Sequence, residues 1–497
     1  MNNTLYDALF APHAGSSAPF LIGDDAAVLS YGAFLRRAAQ MAHVLVEAGV
    51  SPGDRIVVQA PKLVDTLALY AGAIQVGAVY VPLNSGYTQA ELAYFIGDAS
   101  PMLIVCNASD AAEMRGPAAK RGAALLTLGA SGGSLSMRAD AMREVFEPVQ
   151  RGSGDLAALL YTSGTTGRSK GAMLSHGNLL SNARVLTDHW QITEADRLVH
   201  ALPIFHTHGL FVAINTALIA GAQVRLMSTF DLDAILEELT RATLMMGVPT
   251  FYTRLLDAPE LTPEACKRMR LFISGSAPLL AETHAAFEGR TSHRILERYG
   301  MTETNMIASN PYSGARVAGT VGYPLPGVEV KITDPESGEV VSNGEIGMIE
   351  VRGENVFQGY WQRPEKTSEE LRADGFFITG DLASQAPDGR ITIVGRAKDL
   401  IISGGYNVYP KEIEDVINSV DGVTESAVFG VPHVDFGESV VAAVVGRDVD
   451  LNTIKVEVEG KLARFKHPRS YVVLDSLPRN AMGKVQKNLL RRDHVAA

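Results

Sequence analysis

A run rich in glycine, serine and threonine is the first part of this sequence whose composition suggests chemistry. Residues 161–174 read Tyr-Thr-Ser-Gly-Thr-Thr-Gly-Arg-Ser-Lys-Gly-Ala-Met-Leu, between an apolar stretch at 156–160 that predicts a strand and a segment that reads as helical. Glycines let the backbone approach a ligand closely, hydroxyl groups donate hydrogen bonds, and the lysine adds a positive charge. A flexible loop without function is the alternative, and the spacing is not that of a Walker motif. The composition favours a triphosphate-binding loop made of Thr162, Ser163, Gly164, Thr165, Thr166, Gly167 and Lys170.

Four more motifs contain polar and charged residues that could join the same site. They are Tyr-Gly-Met-Thr-Glu at 299–303, Thr-Gly-Asp at 379–381, Gly-Arg-Ala-Lys-Asp at 395–399 and Pro-Arg-Asn-Ala-Met-Gly-Lys at 478–484. Together with the loop at 162–170, these motifs resemble, in the same order, those of the adenylate-forming family of acyl- and aryl-CoA synthetases, adenylation domains and luciferases. The resemblance covers nearly the whole chain. It implies an enzyme that activates a carboxylic acid with ATP through an acyl-adenylate.

Alternating helix and strand patterns must position these motifs. Apolar residues recur at helical spacing in 34–45 and 64–76, while 55–59, 79–81 and 102–106 read as strands. This alternation predicts an α/β fold in which helices cross over between the strands of a sheet.

The later part of the chain reads differently. A β-rich stretch follows the alternating region, and the end of the chain resembles a small α+β unit. With the family resemblance, we expect a large N-terminal domain at 1–397, built of packed α/β sheets plus a β-rich subdomain. A small mobile α+β C-terminal domain at 398–497 would follow it, with Lys398 at the hinge.

The resemblance implies a role for each matching residue of an ATP site. Tyr299 matches the residue that stacks on adenine, and Asp381 matches the aspartate that accepts both ribose hydroxyls. Glu303, with Thr162, matches the ligands of Mg²⁺, a hard cation that takes oxygen ligands. Without the resemblance, a surface glutamate and an ordinary turn would be the plainer interpretations. The implied ATP-binding residues, besides the loop, are Ser276, Tyr299, Gly300, Met301, Thr302, Asp381, Arg396 and Lys484.

Lys484 is the strongest catalytic candidate. In the family, the matching lysine swings into the active site and bridges the substrate carboxylate and the α-phosphate, where its charge stabilises the reacting groups. By composition alone it is one of several basic residues near the end of the chain. An accessible catalytic lysine is also a candidate target of a lysine acetyltransferase, because acetylation removes the charge. The implied catalytic residues are Lys170, His206, Glu303 and Lys484.

Two other segments imply contacts to the acyl group and to coenzyme A. His206, in the run Leu-Pro-Ile-Phe-His-Thr-His at 202–208, matches a histidine near the phosphates and the thioester-forming centre. A lone buried histidine is more often structural, which is the alternative. Gly404 and Gly405 match the loop that lines the pantetheine tunnel, where missing side chains let a thin ligand pass. The same loop occurs in family members that use a carrier-bound pantetheine, so it indicates a thiol acceptor more strongly than free coenzyme A.

The identity of the acid depends on the acyl pocket. Arg254 and Arg298 lie in segments that line this pocket in the family, and Ser276 lies between them in the chain. Because an unpaired buried charge is unfavourable, two arginines favour a substrate with a second carboxylate. These segments resemble those of malonyl-CoA synthetases, which implies malonate or methylmalonate. The implied substrate-binding residues are His206, Arg254, Ser276 and Arg298.

Other interpretations remain open from the sequence. Either arginine could form a structural ion pair, for example Arg298 with Glu297. The acid could be a short fatty or aryl monocarboxylic acid, or the chain could be a stand-alone adenylation protein that loads a carrier protein. A non-catalytic paralogue is disfavoured by four intact residues, Lys170, Glu303, Asp381 and Lys484.

Composition limits the classes of partner. The chain has 497 residues and a formal net charge of -11, which argues against a basic surface for nucleic acid. Its first residues do not read as a signal peptide, and no stretch approaches the roughly 18 apolar residues of a membrane span. The two cysteines, Cys106 and Cys266, form no metal-binding or disulfide pattern. We expect a cytoplasmic protein whose partners are ATP, coenzyme A and a small acid, without nucleic acid or membrane.

Overall fold

The computed structural model of the chain describes residues 3–162, 169–403, 406–447, 449–480 and 483–495. Parallel sheets with covering helices occupy the N-terminal part, a β-rich subdomain follows, and a smaller α+β unit comes last. The α/β fold class predicted from the sequence is confirmed.

Helices and strands both occur throughout the chain. The helices are α1 (Thr4–Leu9), α2 (Tyr31–Glu47), α3 (Val64–Val76), α4 (Gln89–Ala99), α5 (Ala111–Arg121), α6 (Ser134–Asp140), α7 (His176–His189), α8 (Asn215–Ala220), α9 (Leu232–Leu239), α10 (Pro249–Leu256), α11 (Ala281–Thr291), α12 (Pro364–Glu370), α13 (Pro410–Asn418), α14 (Leu451–Lys461) and α15 (Lys487–Val495). Within the described ranges, none of them is long and apolar enough to span a membrane. The strands are β1 (Pro19–Ile22), β2 (Val28–Ser30), β3 (Arg55–Gln59), β4 (Val79–Pro82), β5 (Leu103–Cys106), β6 (Ala124–Thr127), β7 (Leu156–Thr162), β8 (Lys170–Ser175), β9 (Arg197–His200), β10 (Gln223–Leu226), β11 (Leu244–Gly247), β12 (Leu271–Ser274), β13 (Leu296–Met301), β14 (Asn305–Ser309), β15 (Tyr323–Pro324), β16 (Val328–Thr333), β17 (Gly347–Gly353), β18 (Phe377–Gln385), β19 (Ile391–Arg396), β20 (Ile401–Ser403), β21 (Tyr406–Val408), β22 (Val423–His433), β23 (Gly437–Gly446) and β24 (Ser470–Val473).

The first sheet holds the predicted phosphate loop at its edge. Its strand order is β6-β5-β3-β4-β7-β8, and β8 runs antiparallel to β7 while the other neighbours are parallel. Thr162 at the end of β7 pairs with Lys170 at the start of β8. The loop residues between them that the sequence analysis named, Ser163, Gly164, Thr165, Thr166 and Gly167, lie outside the described residues.

The segment after the loop is a strand, so the helix expected there from the sequence is wrong. Residues 170–175 pair with β7 on one side, and helix α7 begins only at His176. On the other side, the backbone of Gly171 and Met173 exchanges hydrogen bonds of 2.8 to 3.0 Å with residues 358–361. Pairing on both sides stabilises the extended backbone, which local sequence does not reveal.

The second sheet brings together the 299–303 motif and the segments predicted to line the acyl pocket. Its strand order is β15-β14-β13-β12-β11-β9-β10-β1-β2, and the strands from β13 to β1 run parallel. Because parallel strands end at the same edge, ligands of such sheets bind there. At this edge the chain continues after β9 into residues 201–208, after β11 into α10, and after β12 into residues 275–276. Motifs distant in sequence therefore meet at one edge.

Two further units complete the fold. The antiparallel sheet β16-β17-β18-β19 carries Asp381 on β18 and Arg396 on β19. After the short helical turn Ala397–Asp399, the last unit has the sheet order β21-β20-β23-β22, with β24 paired to β23 and α13 packed on β22. Its buried side chains, such as Ile401 and Val428, form their own clusters beside the main core.

A buried aspartate ties together the amino ends of three parallel strands. Asp196 directly precedes β9, Thr243 precedes β11 and Arg270 precedes β12. The Asp196 carboxylate accepts hydrogen bonds from Arg270 at 2.6 and 2.8 Å and from Thr243 Oγ1 at 2.7 Å. Burial alone would raise the pKa of Asp196, but the bonds from Arg270 and Thr243 outweigh it and hold the pKa below its usual range.

The Asp196→Asn variant should be less stable by roughly 2–4 kcal/mol, because an amide leaves the partly buried Arg270 without a counter-charge. Urea unfolding at neutral pH measures this as a lower midpoint, and Asp257→Asn, at an exposed carboxylate, is the control. Since the native pKa of Asp196 is depressed, its contribution is present above the unfolded-state pKa and is lost as the pH falls through the native pKa. Equal midpoints for Asp196→Asn and the wild-type chain would contradict this role.

Candidate active site

The carboxylate of Asp381 joins two other motifs in one buried cluster. Asp381 is 4% exposed and pairs with Arg396 across β18 and β19. Its Oδ1 lies 2.6 Å from Arg396 Nε, and its Oδ2 accepts a hydrogen bond from Tyr299 Oη at 2.5 Å. Burial first, and then the negative charge of Asp381, raises the pKa of Tyr299. The predicted adenine and ribose residues therefore lie in direct contact.

The backbone near Tyr299 depends on a glycine. A Cβ on Gly300 would lie 2.0 Å from the carbonyl oxygen of Asn305, so a side chain at this position would disrupt the β13–β14 hairpin. Met301 ends β13 and Thr302 begins the turn that follows, and both are partly buried. The residues named from this motif thus lie at the end of β13 and the start of its turn, beside the Asp381 cluster.

A second cluster links Lys170 to Glu303. Tyr360 Oη lies 3.0 Å from Glu303 Oε1 and 2.6 Å from Glu370 Oε2. Glu370 forms an ion pair of 3.2 Å with Lys170 Nζ, which also lies 4.1 Å from the centre of the Tyr360 ring. Burial raises the pKa of Glu303 despite the hydrogen bond from Tyr360 and the charges of Lys170 and Arg396. Thr162 is half-buried opposite Lys170.

Sequence reasoning missed Tyr360 and Glu370. Tyr360 reaches the cluster because residues 358–361 pair with β8, and Glu370 ends helix α12. Their only sequence signal is a Gly-Tyr pair and an acidic helix end, neither of which is distinctive.

Arg298 is a buried cation at the carboxyl edge of the second sheet. It is 3% exposed, and its Nε and Nη2 atoms have no hydrogen-bond partner among the described residues. Burial lowers the pKa of Arg298 to about 9. The guanidinium lies against Gly275, where a Cβ would come within 2.4 Å of Arg298 Cζ, so only glycine leaves room for it. Such an arrangement suits an anion that reaches the guanidinium.

The ion pair between Arg298 and Glu297, which the sequence left open, does not form. Neighbouring residues of a strand point to opposite faces. Glu297 instead accepts a hydrogen bond from the backbone nitrogen of Gly319 at 3.3 Å, and burial raises its pKa to about 8.

Two histidines and a serine lie near Arg298. Burial first, and then the charge of Arg298, lowers the pKa of His206 to about 4 and holds the pKa of His208 well below its usual range. Both imidazoles are therefore neutral near pH 7. His208 Nδ1 lies 3.3 Å from Ser276 Oγ, and Ser276 has a φ of 70°. Arg298 is thus surrounded by neutral polar groups.

Arg254 is not placed as the sequence analysis expected. It lies in the last turn of α10, where its side chain is exposed and its guanidinium lies 5.4 Å from the centre of the Phe230 ring. The expectation of two arginines buried in one pocket is therefore corrected to a single buried arginine, Arg298. The rotation of α10 explains this, since it buries Phe251, Tyr252 and Leu255 and leaves Arg254 on another face.

Lys484 belongs to the last unit of the chain, and its side chain lies near Arg396 and Asp381. A Cβ on Gly483 would lie 3.8 Å from Thr250 Oγ1, so the loop before Lys484 contacts the start of α10. The Lys484 side chain as a whole stays exposed, but desolvation of its ammonium group and then repulsion by Arg396 lower its pKa to about 8. Asp381 opposes this shift. Lys484 is thus near the predicted nucleotide residues.

The remaining predicted residues lie in the connection between the units. Lys398 is exposed in the turn Ala397–Asp399, and Asp399 forms an ion pair of 3.2 Å with Arg491. Gly404 and Gly405 lie outside the described residues.

Comparison with known families gives the class of this protein. The family described as "AMP-binding enzyme" matches residues 11–361, and "AMP-binding enzyme C-terminal domain" matches residues 412–484. The chain belongs to the AMP-binding enzyme family. The membership expected from the five motifs is confirmed.

Several individual proteins are similar to this chain over most of its length. The chain is 36% identical to a malonate–CoA ligase of Arabidopsis thaliana over 89% of this chain and 78% of that protein. It is also 36% identical to a feruloyl-CoA synthase of Amycolatopsis sp over 98% and 97% of the two chains. ATP-bound MatB from Rhodopseudomonas palustris superposes with a TM-score of 0.98 at 53% identity, over 99% of both chains. Apo MatB from the same organism, at 52% identity and the same coverage, superposes with a TM-score of 0.87.

The Asp381→Asn variant should bind AMP roughly 10- to 100-fold more weakly than the wild-type chain. The amide loses the charged acceptor and leaves Arg396 without its ion pair. Isothermal titration with AMP measures the effect. Asp388→Asn, in an exposed turn of the same sheet, is the control and should bind as the wild type does. Unchanged AMP affinity in Asp381→Asn would remove Asp381 from the site.

Proposed function

We propose that this protein joins malonate, or methylmalonate, to coenzyme A with ATP, through a malonyl-adenylate, and releases AMP and pyrophosphate. The observation that carries the proposal is Arg298, which is buried and has Nε and Nη2 atoms without partners among the described residues. A second carboxylate on the acid would supply the missing partner, whereas a monocarboxylic acid would leave the cation unpaired. The malonate–CoA ligase and MatB relatives support the same choice.

In the first half-reaction, a carboxylate oxygen of malonate attacks the α-phosphorus of ATP, an O–P bond forms and the bond to pyrophosphate breaks. Arg298 holds the other carboxylate, which orients the reacting one toward the nucleotide. Lys484, near Arg396 and Asp381, stabilises the negative charge shared by the attacking carboxylate and the α-phosphate. Orientation by Arg298 and charge stabilisation by Lys484 therefore act on opposite ends of the acid.

We assign the nucleotide to the two clusters around Asp381 and Lys170. Tyr299, Asp381 and Arg396 hold the adenosine, and Lys170, at the end of the β7–β8 pair where the chain passes from one strand to the other, binds the β- and γ-phosphates. Ser276, Gly300, Met301 and Thr302 complete the wall around it.

The proposed magnesium ligands are Glu303 and Thr162, whose oxygen atoms suit a hard cation. Within the described ranges, no three histidine, cysteine or acidic side chains are grouped to hold a metal. This fits an ion that takes its other ligands from phosphates and water. When bound, Mg²⁺ would neutralise part of the triphosphate charge.

In the second half-reaction, the thiol of coenzyme A attacks the acyl carbon and AMP leaves. We assign the passage of pantetheine to Gly404 and Gly405. His206 accepts a hydrogen bond at Nδ1 from the backbone nitrogen of His208 at 3.3 Å, so its neutral ring carries the hydrogen on Nε2 and can donate to a phosphate or acyl oxygen.

The mobile domain and its regulation belong to the same proposal. We place the domain boundary between residues 397 and 398, with Lys398 as the hinge, and the separate buried clusters after residue 400 support it. Acetylation of Lys484 by a lysine acetyltransferase would remove the charge that adenylation needs. A cytoplasmic location suits a protein that uses these soluble substrates.

Arg298→Met should lower kcat/KM for malonate roughly 30-fold or more, because the distal carboxylate loses its charged partner. The measurement compares malonate, butyrate and ferulate in the wild type and the variant. Arg294→Met, at a half-exposed ion pair with Glu288, is the control. A wild type that prefers butyrate or ferulate would support a monocarboxylate synthetase instead. Full retention of the malonate preference in Arg298→Met would rule out the diacid pocket.

Lys484→Ala should reduce malonyl-adenylate formation by about 10²–10³-fold and affect thioester formation from supplied adenylate much less. Because the pKa of Lys484 is lowered to about 8, its charged form is lost as the pH rises through that value. The kcat/KM for adenylation should therefore fall above about pH 8. Lys484→Arg, which stays charged, should lack this alkaline decline. Equal losses in both half-reactions, or an unchanged decline in Lys484→Arg, would contradict the role.

A further inference from the structure

Glu370 has an unusual set of partners at the predicted phosphate corner. Its carboxylate lies 3.2 Å from Lys170 Nζ and 2.9 Å from Lys366 Nζ, and its Oε2 lies 2.6 Å from Tyr360 Oη. The side chains of Lys170 and Glu370 are 14% and 24% exposed, so water screens their pair less than a surface pair. The Glu370 carboxylate is therefore an anionic partner for Lys170 that the protein itself supplies.

We propose that Glu370 is a positioning residue that competes with phosphate oxygens for the ammonium group of Lys170 and thereby promotes the release of pyrophosphate. This proposal rests on the proposed function, because it takes Lys170 as the ligand of the β- and γ-phosphates. Glu370 itself touches neither substrate nor reacting atoms; it acts through Lys170.

The exchange of partners is feasible because Glu370 keeps a counter-charge throughout. When Lys170 turns to a phosphate, Lys366, one turn earlier on α12, still pairs with Glu370. An unpaired carboxylate would make the exchange unfavourable, and the second lysine removes that penalty. When pyrophosphate dissociates, Lys170 returns to an acceptor that has stayed in place.

Tyr360 fixes that acceptor beside the proposed magnesium ligand. Its hydroxyl carries one hydrogen, so it donates to one carboxylate at a time, and the contact with Glu370 at 2.6 Å is shorter than that with Glu303 at 3.0 Å. Tyr360 itself is held by the pairing of residues 358–361 with β8, the strand that begins at Lys170. This backbone pairing therefore fixes Tyr360, and through its hydroxyl the Glu370 carboxylate, relative to the start of β8.

The test compares Glu370→Gln with Glu369→Gln in the full chain. Glu369 is the matched control, because it is the adjacent acid on the same helix and pairs with Lys366 at 2.7 Å, without a contact to Lys170 in the structure. Isothermal titration with ATP, inorganic pyrophosphate and AMP gives the dissociation constants. Glu370→Gln should bind ATP and pyrophosphate about threefold to tenfold more tightly than Glu369→Gln, because Lys170 loses its competing partner. AMP, which lacks the β- and γ-phosphates, should bind within about twofold.

A background without the lysine separates this mechanism from a general charge effect. In Lys170→Met protein, Glu370→Gln should no longer tighten pyrophosphate binding, since the two residues act through one contact. Equal affinities of Glu370→Gln and Glu369→Gln, equal tightening of AMP, or tightening that persists in Lys170→Met would each overturn the proposal. A wild-type chain that binds neither ATP nor pyrophosphate would instead overturn the proposed function.

Discussion

The buried guanidinium of Arg298, which has no acidic partner among the described residues, is the main constraint on its surroundings at the edge of the second sheet. Arg298 is 3% exposed, and burial lowers its pKa to about 9 rather than a neighbouring acid raising it. Such a charge is tolerated only where the surroundings are arranged for it. Gly275 leaves room for its planar group, and burial together with the charge of Arg298 lowers the pKa of His206 and His208, which keeps both neutral. Among the described residues, the guanidinium of Arg298 is therefore the main electrostatic feature of this region, and it favours an anionic ligand of whatever shape.

The charges in the proposed nucleotide region are arranged differently from those around Arg298. The Asp381 carboxylate pairs with Arg396 and accepts a hydrogen bond from Tyr299, and the Glu370 carboxylate pairs with two lysines. A site that handles a highly charged ligand benefits from internal pairs that can be exchanged, because no charge is left alone as the ligand arrives or leaves. In the described part of the chain, Arg298 has no acidic partner, while Lys170 and Lys366 both pair with Glu370.

Much of the fold and part of the site could be predicted from the sequence. Short apolar runs predicted the strands at 55–59 and 79–81, which the structure has as β3 and β4, because burial dominates those segments. The motifs around Tyr299, Asp381 and Arg396 do meet, because Asp381 and Arg396 pair across the antiparallel strands β18 and β19 and Tyr299 on β13 donates a hydrogen bond to Asp381. The extended backbone at 170–175 was missed because it depends on partners nearly two hundred residues away. The contacts of Glu370 depend on the same long-range pairing, and the position of Arg254 depends on the rotation of a short helix.

Strand β13 has a consequence for how such a pocket can change over evolution. It carries Arg298, to which we assigned the acid, and Tyr299, to which we assigned the nucleotide, on consecutive residues, and Gly300 next to them has no space for a side chain. An insertion or a register shift here would exchange the two faces and damage both pockets together. New acid specificities should therefore arise by substitutions in the flanking segments, such as residues 275–276 and helix α10, whose changes leave the nucleotide cluster intact. We therefore expect strand β13 to change little, while substitutions that alter acid specificity accumulate in the loops and the helix beside it.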